Sequence, residues 1–348
     1  MNIESLVRPN IRALAPYRSA RQEHHSGILL DANENSFGST LPSDGVTLNR
    51  YPDPNQRALR FALADRIGLT AEHVFVGSGS DEAIDLLLRV FCEPGEDRVL
   101  IPVPTYGMYG VAAAIQGAIV EHVLLDDTFQ LDRNAVEKAL RPDTKLVFLC
   151  SPNNPTGNLL SMEDVLWLCS RAPGLVVVDE AYVEFTQNGS VMSHVAAIPN
   201  LVVLRTLSKA WGLASIRLGY ASANPDVVSH LLRVKAPYNV NGLTSAAALS
   251  ALCRPEAMER LVTDIKAERE RLRKELAACS AVNTIFPSDA NFLLVRFKNP
   301  DLVRLTLLTA GIVVRDRSNE PKLAGCLRIT VGTFMENNAL LRELRSLS

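Results

Sequence analysis

The sequence predicts an α/β fold with a sheet of parallel strands and crossover helices, followed by a smaller α+β domain. Between Val74 and Ala221, short β-branched runs alternate with helical patterns, which is how such a sheet is written. The run Leu175–Val178 is apolar without interruption, as a strand covered on both faces requires. After about Tyr238 the style changes to a long charged helix and further strands.

Strands are expected at Val74–Val76, Arg98–Ile101, Lys145–Cys150, Leu175–Val178, Leu201–Leu204 and Leu218–Ala221, with helices at Asp81–Phe91 and Met162–Ser170. In the second half, Leu261, Ile265, Leu272 and Leu276 give Met258–Cys279 an amphipathic helical spacing. Strands follow at Phe292–Phe297, Ile312–Arg315 and Cys326–Val331. Leu327, Ile329 and Val331 share one face of the last, so Arg328 points to the other, where it can face a cleft. The expected division is an N-terminal arm over 1–30, a large domain over 31–240 and a small domain over 241–348.

With 348 residues, 47% of them hydrophobic and 21% charged, the chain has ample core for about two domains and is neither a stapled mini-protein nor disordered. Its 36 Lys plus Arg against 38 Asp plus Glu leave a net charge of −2 and no basic excess to attract nucleic acid. Six scattered cysteines without a CxxC pair read as free thiols of a reducing compartment. No apolar stretch reaches the ~18 residues needed to span a bilayer, and arginines and acids break up the first thirty residues, so a cytoplasmic protein without membrane contact is expected.

Only eight lysines occur, and Lys209 stands apart in Thr206-Leu-Ser-Lys-Ala-Trp-Gly-Leu-Ala214, with no other charge before Arg217. Sequestration lowers an amine's pKa and makes it a usable nucleophile, although a lone lysine at a strand end is more often a snorkelling one. Val176-Val-Val-Asp-Glu-Ala-Tyr182 ends an apolar strand in acids and a tyrosine at the edge where open sheets bind ligands, though Asp179 could simply cap a helix. Ser151-Pro-Asn-Asn-Pro-Thr-Gly157 taken alone is turn chemistry. Gly77-Ser-Gly-Ser-Asp81 closes a strand and opens a helix whose amides could hold a phosphate, or be capped by Ser80 or Asp81. Glu82 stands where a dinucleotide fingerprint needs its third glycine, GxxxxGK[ST] is absent, and no HExxH or Cys/His cluster suggests a metal.

A phosphate cradle, an amide-bearing turn, a buried acid beside a tyrosine, and a sequestered lysine with an arginine eight positions on form one set. Pyridoxal phosphate needs that set: a lysine for its aldehyde, helix-end amides and arginine for its phosphate, donors for its ring oxygen, and a carboxylate for its ring nitrogen.

The chain resembles the fold-type I pyridoxal-phosphate aminotransferases and, within them, the histidinol-phosphate aminotransferases. The resemblance runs in order through Pro16-Tyr-Arg-Ser-Ala-Arg21, Asp31-Ala-Asn-Glu-Asn35, Asn49-Arg-Tyr-Pro52, Pro104-Thr-Tyr-Gly-Met-Tyr109, the 151–157 turn, Val176–Phe185, Thr206–Leu213 and Cys326–Gly332, nearly the whole chain. It implies a mostly parallel seven-stranded sheet in the large domain, with Lys209 as the Schiff-base lysine, Asp179 on the ring nitrogen, and Asn154 and Tyr182 on the ring oxygen. It further implies that the backbone at Ser80 and Asp81, the hydroxyls of Thr206 and Ser208, and Arg217 hold the phosphate, with Tyr106 stacked on the ring. Tyr51 is implied to reach the cofactor of a neighbouring subunit, making a homodimer, while Tyr17, Asn33, Arg315 and Arg328 match substrate-facing positions. Trp211 replaces a usual Phe and Ser80 a common Ala; neither change removes a required group.

The implied reaction moves an amino group between L-histidinol phosphate and 2-oxoglutarate in histidine biosynthesis, giving imidazole acetol phosphate and L-glutamate. Arg328 is expected to take the glutamate α-carboxylate, with the division of the phosphate between Arg315 and Arg328 left open. Aminotransferases for aromatic or other amino acids and phosphothreonine decarboxylases share the ring-binding residues and are the rival readings; a non-catalytic cofactor-binding regulator would need an attached DNA-binding segment.

Overall fold

The computed structural model describes residues 1–347 apart from 16, 18, 19, 24–26 and 42–44. Parts of the Pro16–Arg21 motif therefore lie outside the described residues.

The large sheet contains β1 Val74–Ser78, β2 Arg98–Val103, β3 Ile119–Leu124, β4 Thr144–Cys150, β5 Leu175–Asp179, β6 Leu201–Thr206 and β7 Leu218–Ser222. Its order is β1-β7-β6-β5-β4-β2-β3, seven strands of which β7 alone runs against its neighbours. Successive residues of the central strands feed opposite layers. Val147, Val176, Val178 and Val203 enter one apolar cluster; Phe148, Val177, Val202 and Leu204 enter the other. Strand side chains alternate with period two, so continuous apolar runs are what a doubly covered sheet demands.

Among the expected strands the structure adds β3, whose Glu121 and His122 mask it in sequence. A second sheet, ordered β10-β11-β9-β8, is built from β8 Val282–Ile285, β9 Phe292–Phe297, β10 Arg315–Asp316 and β11 Cys326–Thr330. The expected strand Ile312–Arg315 is corrected here: only Arg315–Asp316 pairs, because the amide of Ile312 is taken by Leu307 O as the preceding helix ends.

The long helix spans Pro255–Ala277. Leu272 and Leu276 pack on the second sheet, whereas Met258 and Val262 reach Tyr182, Ala210 and Phe292. One helix thus ties the small sheet to the loops that end β5 and β6. Helix Gly242–Leu252 packs instead on Arg57–Ile67, with Ala248 buried in the large-sheet core. At the N-terminus Ile3 and Val7 are buried against the large body, and His230 meets Glu4 at 2.9 Å. Among the described residues no helix is long and apolar enough to cross a membrane.

Candidate active site

The carboxyl ends of β1, β4, β5 and β6 converge on a cavity of about 400 Å³, closed on its far side by β10 and β11. Its walls hold Ser80, Asp81, Tyr106, Asn154, Asp179 and Tyr182. Thr206, Ser208, Lys209, Arg217, Arg315 and Arg328 complete the expected residues found there.

Asp179 is the last residue of β5 and is 3% exposed. Its Oδ1 accepts the Ala181 amide at 3.1 Å, and its Oδ2 accepts the Tyr109 hydroxyl at 2.8 Å. Burial pushes this carboxyl up to about 6, against the pull of those two donors. Capping alone does not explain it: one oxygen closes a local turn and the other is held from a different helix.

Lys209 follows β6 in a tight turn and is half-buried, its Nζ 5.6 Å from the centre of the Tyr182 ring. Burial lowers its pKa, and the nearby Arg328 cation adds to the effect. Tyr182 is fixed edge-on to Phe292 at 5.2 Å. Asn154 projects from the 151–157 turn, which is braced by the Asn153 amide group donating to Pro104 O at 2.9 Å, and its Oδ1 accepts from Arg328 Nη1. Tyr106 donates to Asp81 Oδ1 at 3.2 Å and stands edge-on to Tyr109.

The helix Ser80–Phe91 opens with Gly79 at its cap and no side-chain capping bond, so neither Ser80 nor Asp81 takes that role. Its first amides are available to an anion. Around them Thr206 Oγ1 donates to Ser208 Oγ at 3.0 Å, while Arg217 lies 3.4 Å from both Ser208 Oγ and Asp81 Oδ2. Gly219 permits the closeness: a Cβ there would sit 2.2 Å from the Ser80 nitrogen. Arg217 adopts φ 53°, a conformation that costs an L-residue on the order of 1 kcal/mol and gathers at functional sites.

Three expected residues lie elsewhere on the same chain. Tyr17 borders a surface depression with Arg8 and Arg233. Asn33 and Tyr51 line another, where Tyr51 stacks on Tyr238 at 4.5 Å. That segment is pinned by Glu34, which bonds Arg21, Arg50 and the Tyr51 amide; despite its burial these partners bring its carboxyl down to about 2.

The sequence reading missed Tyr109, Arg317 and Lys235. Tyr109 is fully buried, and Arg317 lines the cavity. Lys235 is 9% exposed, not a solvated surface lysine; its Nζ donates to Ala236 O and Pro237 O, and burial brings it down to about 8. Among the described residues no group of three or more His, Cys, Asp or Glu side chains could hold a metal.

The aminotransferase class I and II family model matches residues 26–344. A histidinol-phosphate aminotransferase of Parabacteroides distasonis is 46% identical over 348 residues, covering 99% of both chains. Among solved structures, the histidinol-phosphate aminotransferase from Clostridium acetobutylicum superposes with TM-score 0.80 at 26% identity, covering 86% of this chain and 91% of that one. The Sinorhizobium meliloti enzyme in complex with pyridoxal-5'-phosphate gives TM-score 0.79 at 25% identity, covering 91% and 90%. With its cavity at the strand ends and this likeness along its whole length, the chain belongs to the aminotransferase class I and II family and, within it, to the histidinol-phosphate aminotransferases.

Proposed function

We propose that this chain is a pyridoxal-phosphate-dependent enzyme that transfers the amino group of L-histidinol phosphate to 2-oxoglutarate, giving imidazole acetol phosphate and L-glutamate in histidine biosynthesis. The single observation carrying the reading is the joint position of Lys209, Asp179 and Arg217 around one cavity. Their chemistry fits the cofactor: an amine, a buried carboxylate whose burial a ring cation would relieve, and a cationic cradle beside uncapped helix amides.

Bound there, pyridoxal phosphate supplies an electrophilic carbon for amines and a sink for electrons released at the substrate Cα. The ε-amine of Lys209, biased toward its free base by burial and neighbouring cations, would take the Cα proton of the amine donor and, in the second half-reaction, deliver a proton to the Cα of the nascent glutamate. Asp179, buried at the end of β5, would pair with the ring nitrogen and favour its protonated form. Arg217, Thr206, Ser208 and the amides of Ser80 and Asp81 would hold the cofactor phosphate, with Asn154 and Tyr182 available to its ring oxygen and Tyr106 to its ring. Arg328 pairs with the α-carboxylate of glutamate, while Arg315 serves the anionic end of the donor.

A homodimer in the cytoplasm is part of the proposal. Ile28, Leu30, Phe37 and Leu41 are exposed apolar side chains on the segment leading to half-exposed Tyr51, which supports a second copy covering that segment. In the pair, Tyr17, Asn33 and Tyr51 would serve the neighbouring subunit's site.

Titrating the yellow holoenzyme with single amines tests the reading. Histidinol phosphate and glutamate are expected to bleach it to the pyridoxamine form, and phenylalanine far more slowly. Release of CO₂ from phosphothreonine, with no response to histidinol phosphate, would overturn it.

A further inference from the structure

Arg315 and Arg328 are directly opposed across the β10–β11 pair, and the Arg317 amide bonds Cys326 O at 2.9 Å as the ladder continues. Residues two apart on a strand share a face, so Arg315, Arg317 and Arg328 stand on the face that borders the cavity. Directly opposed like charges destabilise a strand pair unless an anion lies between them. Glu320 lies close enough to act on all three guanidinium groups, and its hydrogen bond goes to Arg317: Nη1 donates to its Oε1 at 2.7 Å.

That pair is incomplete. Arg317 Nε and Glu320 Oε2 are both buried without a partner. A guanidinium offers five donors, and a carboxylate accepting only one of them leaves most of the fork unused. A phosphate monoester has three terminal oxygens and nearly two charges, so it can engage more guanidinium groups at once than a carboxylate can.

We infer that Arg317 is a specificity-determining arginine that reads the phosphate of the amine donor, and that Glu320 is an internal carboxylate competing with that phosphate for it. The inference rests on the donor assignment proposed above. It explains how one pocket favours a phosphorylated amine while still accepting glutamate: the α-carboxylate goes to Arg328, and the extra guanidinium counts chiefly when a dianion arrives.

The test compares holoenzyme half-reactions with histidinol phosphate, histidinol and glutamate, followed by the cofactor's absorbance. Arg317→Gln is expected to lower kcat/KM for histidinol phosphate roughly 10- to 100-fold through KM, with a change for histidinol and glutamate of about threefold or less, so the preference for phosphorylated over unphosphorylated donor collapses. Arg317→Lys, which keeps the charge without the fork, should restore part of that preference. Glu320→Gln should strengthen competitive inhibition by inorganic phosphate several-fold. An unaltered donor preference in R317Q, or equal losses with all three amines as a structural role would give, overturns the inference; so does weaker phosphate inhibition in E320Q. Wild-type enzyme that turns over glutamate but not histidinol phosphate would instead overturn the donor assignment on which the inference stands.

Discussion

The Tyr109 hydroxyl donates to Asp179 Oδ2 at 2.8 Å from a ring stacked on Phe148 at 4.9 Å, with both residues buried. A hydrogen bond to the ionised form favours ionisation, which burial opposes. Tyr109 is therefore a positioning residue: it holds Asp179 in place and helps keep it charged. Tyr109→Phe should leave the fold intact and weaken cofactor affinity by roughly 10- to 100-fold, since a charge-assisted hydrogen bond contributes ~1.5–3 kcal/mol. The pH titration of the bound cofactor's absorbance should shift as well. Unchanged affinity and an unchanged titration would refute this role.

Without cofactor, Asp179 works against stability. Its folded pKa is raised from 3.8 to about 6, so the folded state holds the proton more tightly than the unfolded chain. The stability linked to this one group is fully present below about pH 4 and is lost as pH rises through about 6. Two pKa units correspond to an upper figure of about 3 kcal/mol. Apo Asp179→Asn should accordingly gain stability over apo wild type at pH 7 but not at pH 4, measured by urea unfolding, while losing activity. A wild-type-to-variant difference independent of pH would contradict this.

Gly219 is fixed by space. Because its Cβ would fall 2.2 Å from the Ser80 nitrogen and 2.5 Å from the Gly79 carbonyl carbon, Gly219→Ala must push β7 away from the start of the helix Ser80–Phe91. Overpacking of this kind costs ~1–3 kcal/mol. Cofactor affinity should fall at least 10-fold alongside a lower melting temperature, whereas a variant with wild-type affinity would show that the cradle does not depend on this approach.

Arg328 is held by Asn154 Oδ1 and lies 5.3 Å from the centre of the Phe292 ring. Lysine can supply its charge but not its planar fork. Arg328→Lys should lower kcat/KM for glutamate roughly 10- to 100-fold. Steady-state kinetics with varied glutamate would show it, and an undiminished value would remove Arg328 from the α-carboxylate role.

Much of this architecture was legible because continuous apolar strands and strand-end turns announce themselves. Leu175–Val178 could sit only in a covered sheet, and the uncharged surroundings of Lys209 marked it among eight lysines. Edge strands were harder to read: β3 and β8 lie at sheet edges with neither face fully covered, so they tolerate Glu121, His122, Asn283 and Thr284. Tyr109 was hidden behind Tyr106, which precedes the helix Met108–Gln116 that carries Tyr109, although the two rings meet edge-on. Arg317 sat in a polar string that reads as solvated surface; its spacing of two from Arg315 was the available signal. Lys235 could not be found at all, since two backbone carbonyls satisfy its amine.

The identity of the covalent amine is the claim on which the rest depends, and Lys235, brought down to about 8, is a second amine of lowered pKa. Reducing the holoenzyme with borohydride, digesting it and locating the pyridoxyl group by mass spectrometry decides between them. The expected result is stoichiometric label on the peptide containing Lys209 and loss of the label in Lys209→Ala. Label on Lys235 or another lysine, or none at all in an active enzyme, would contradict the account.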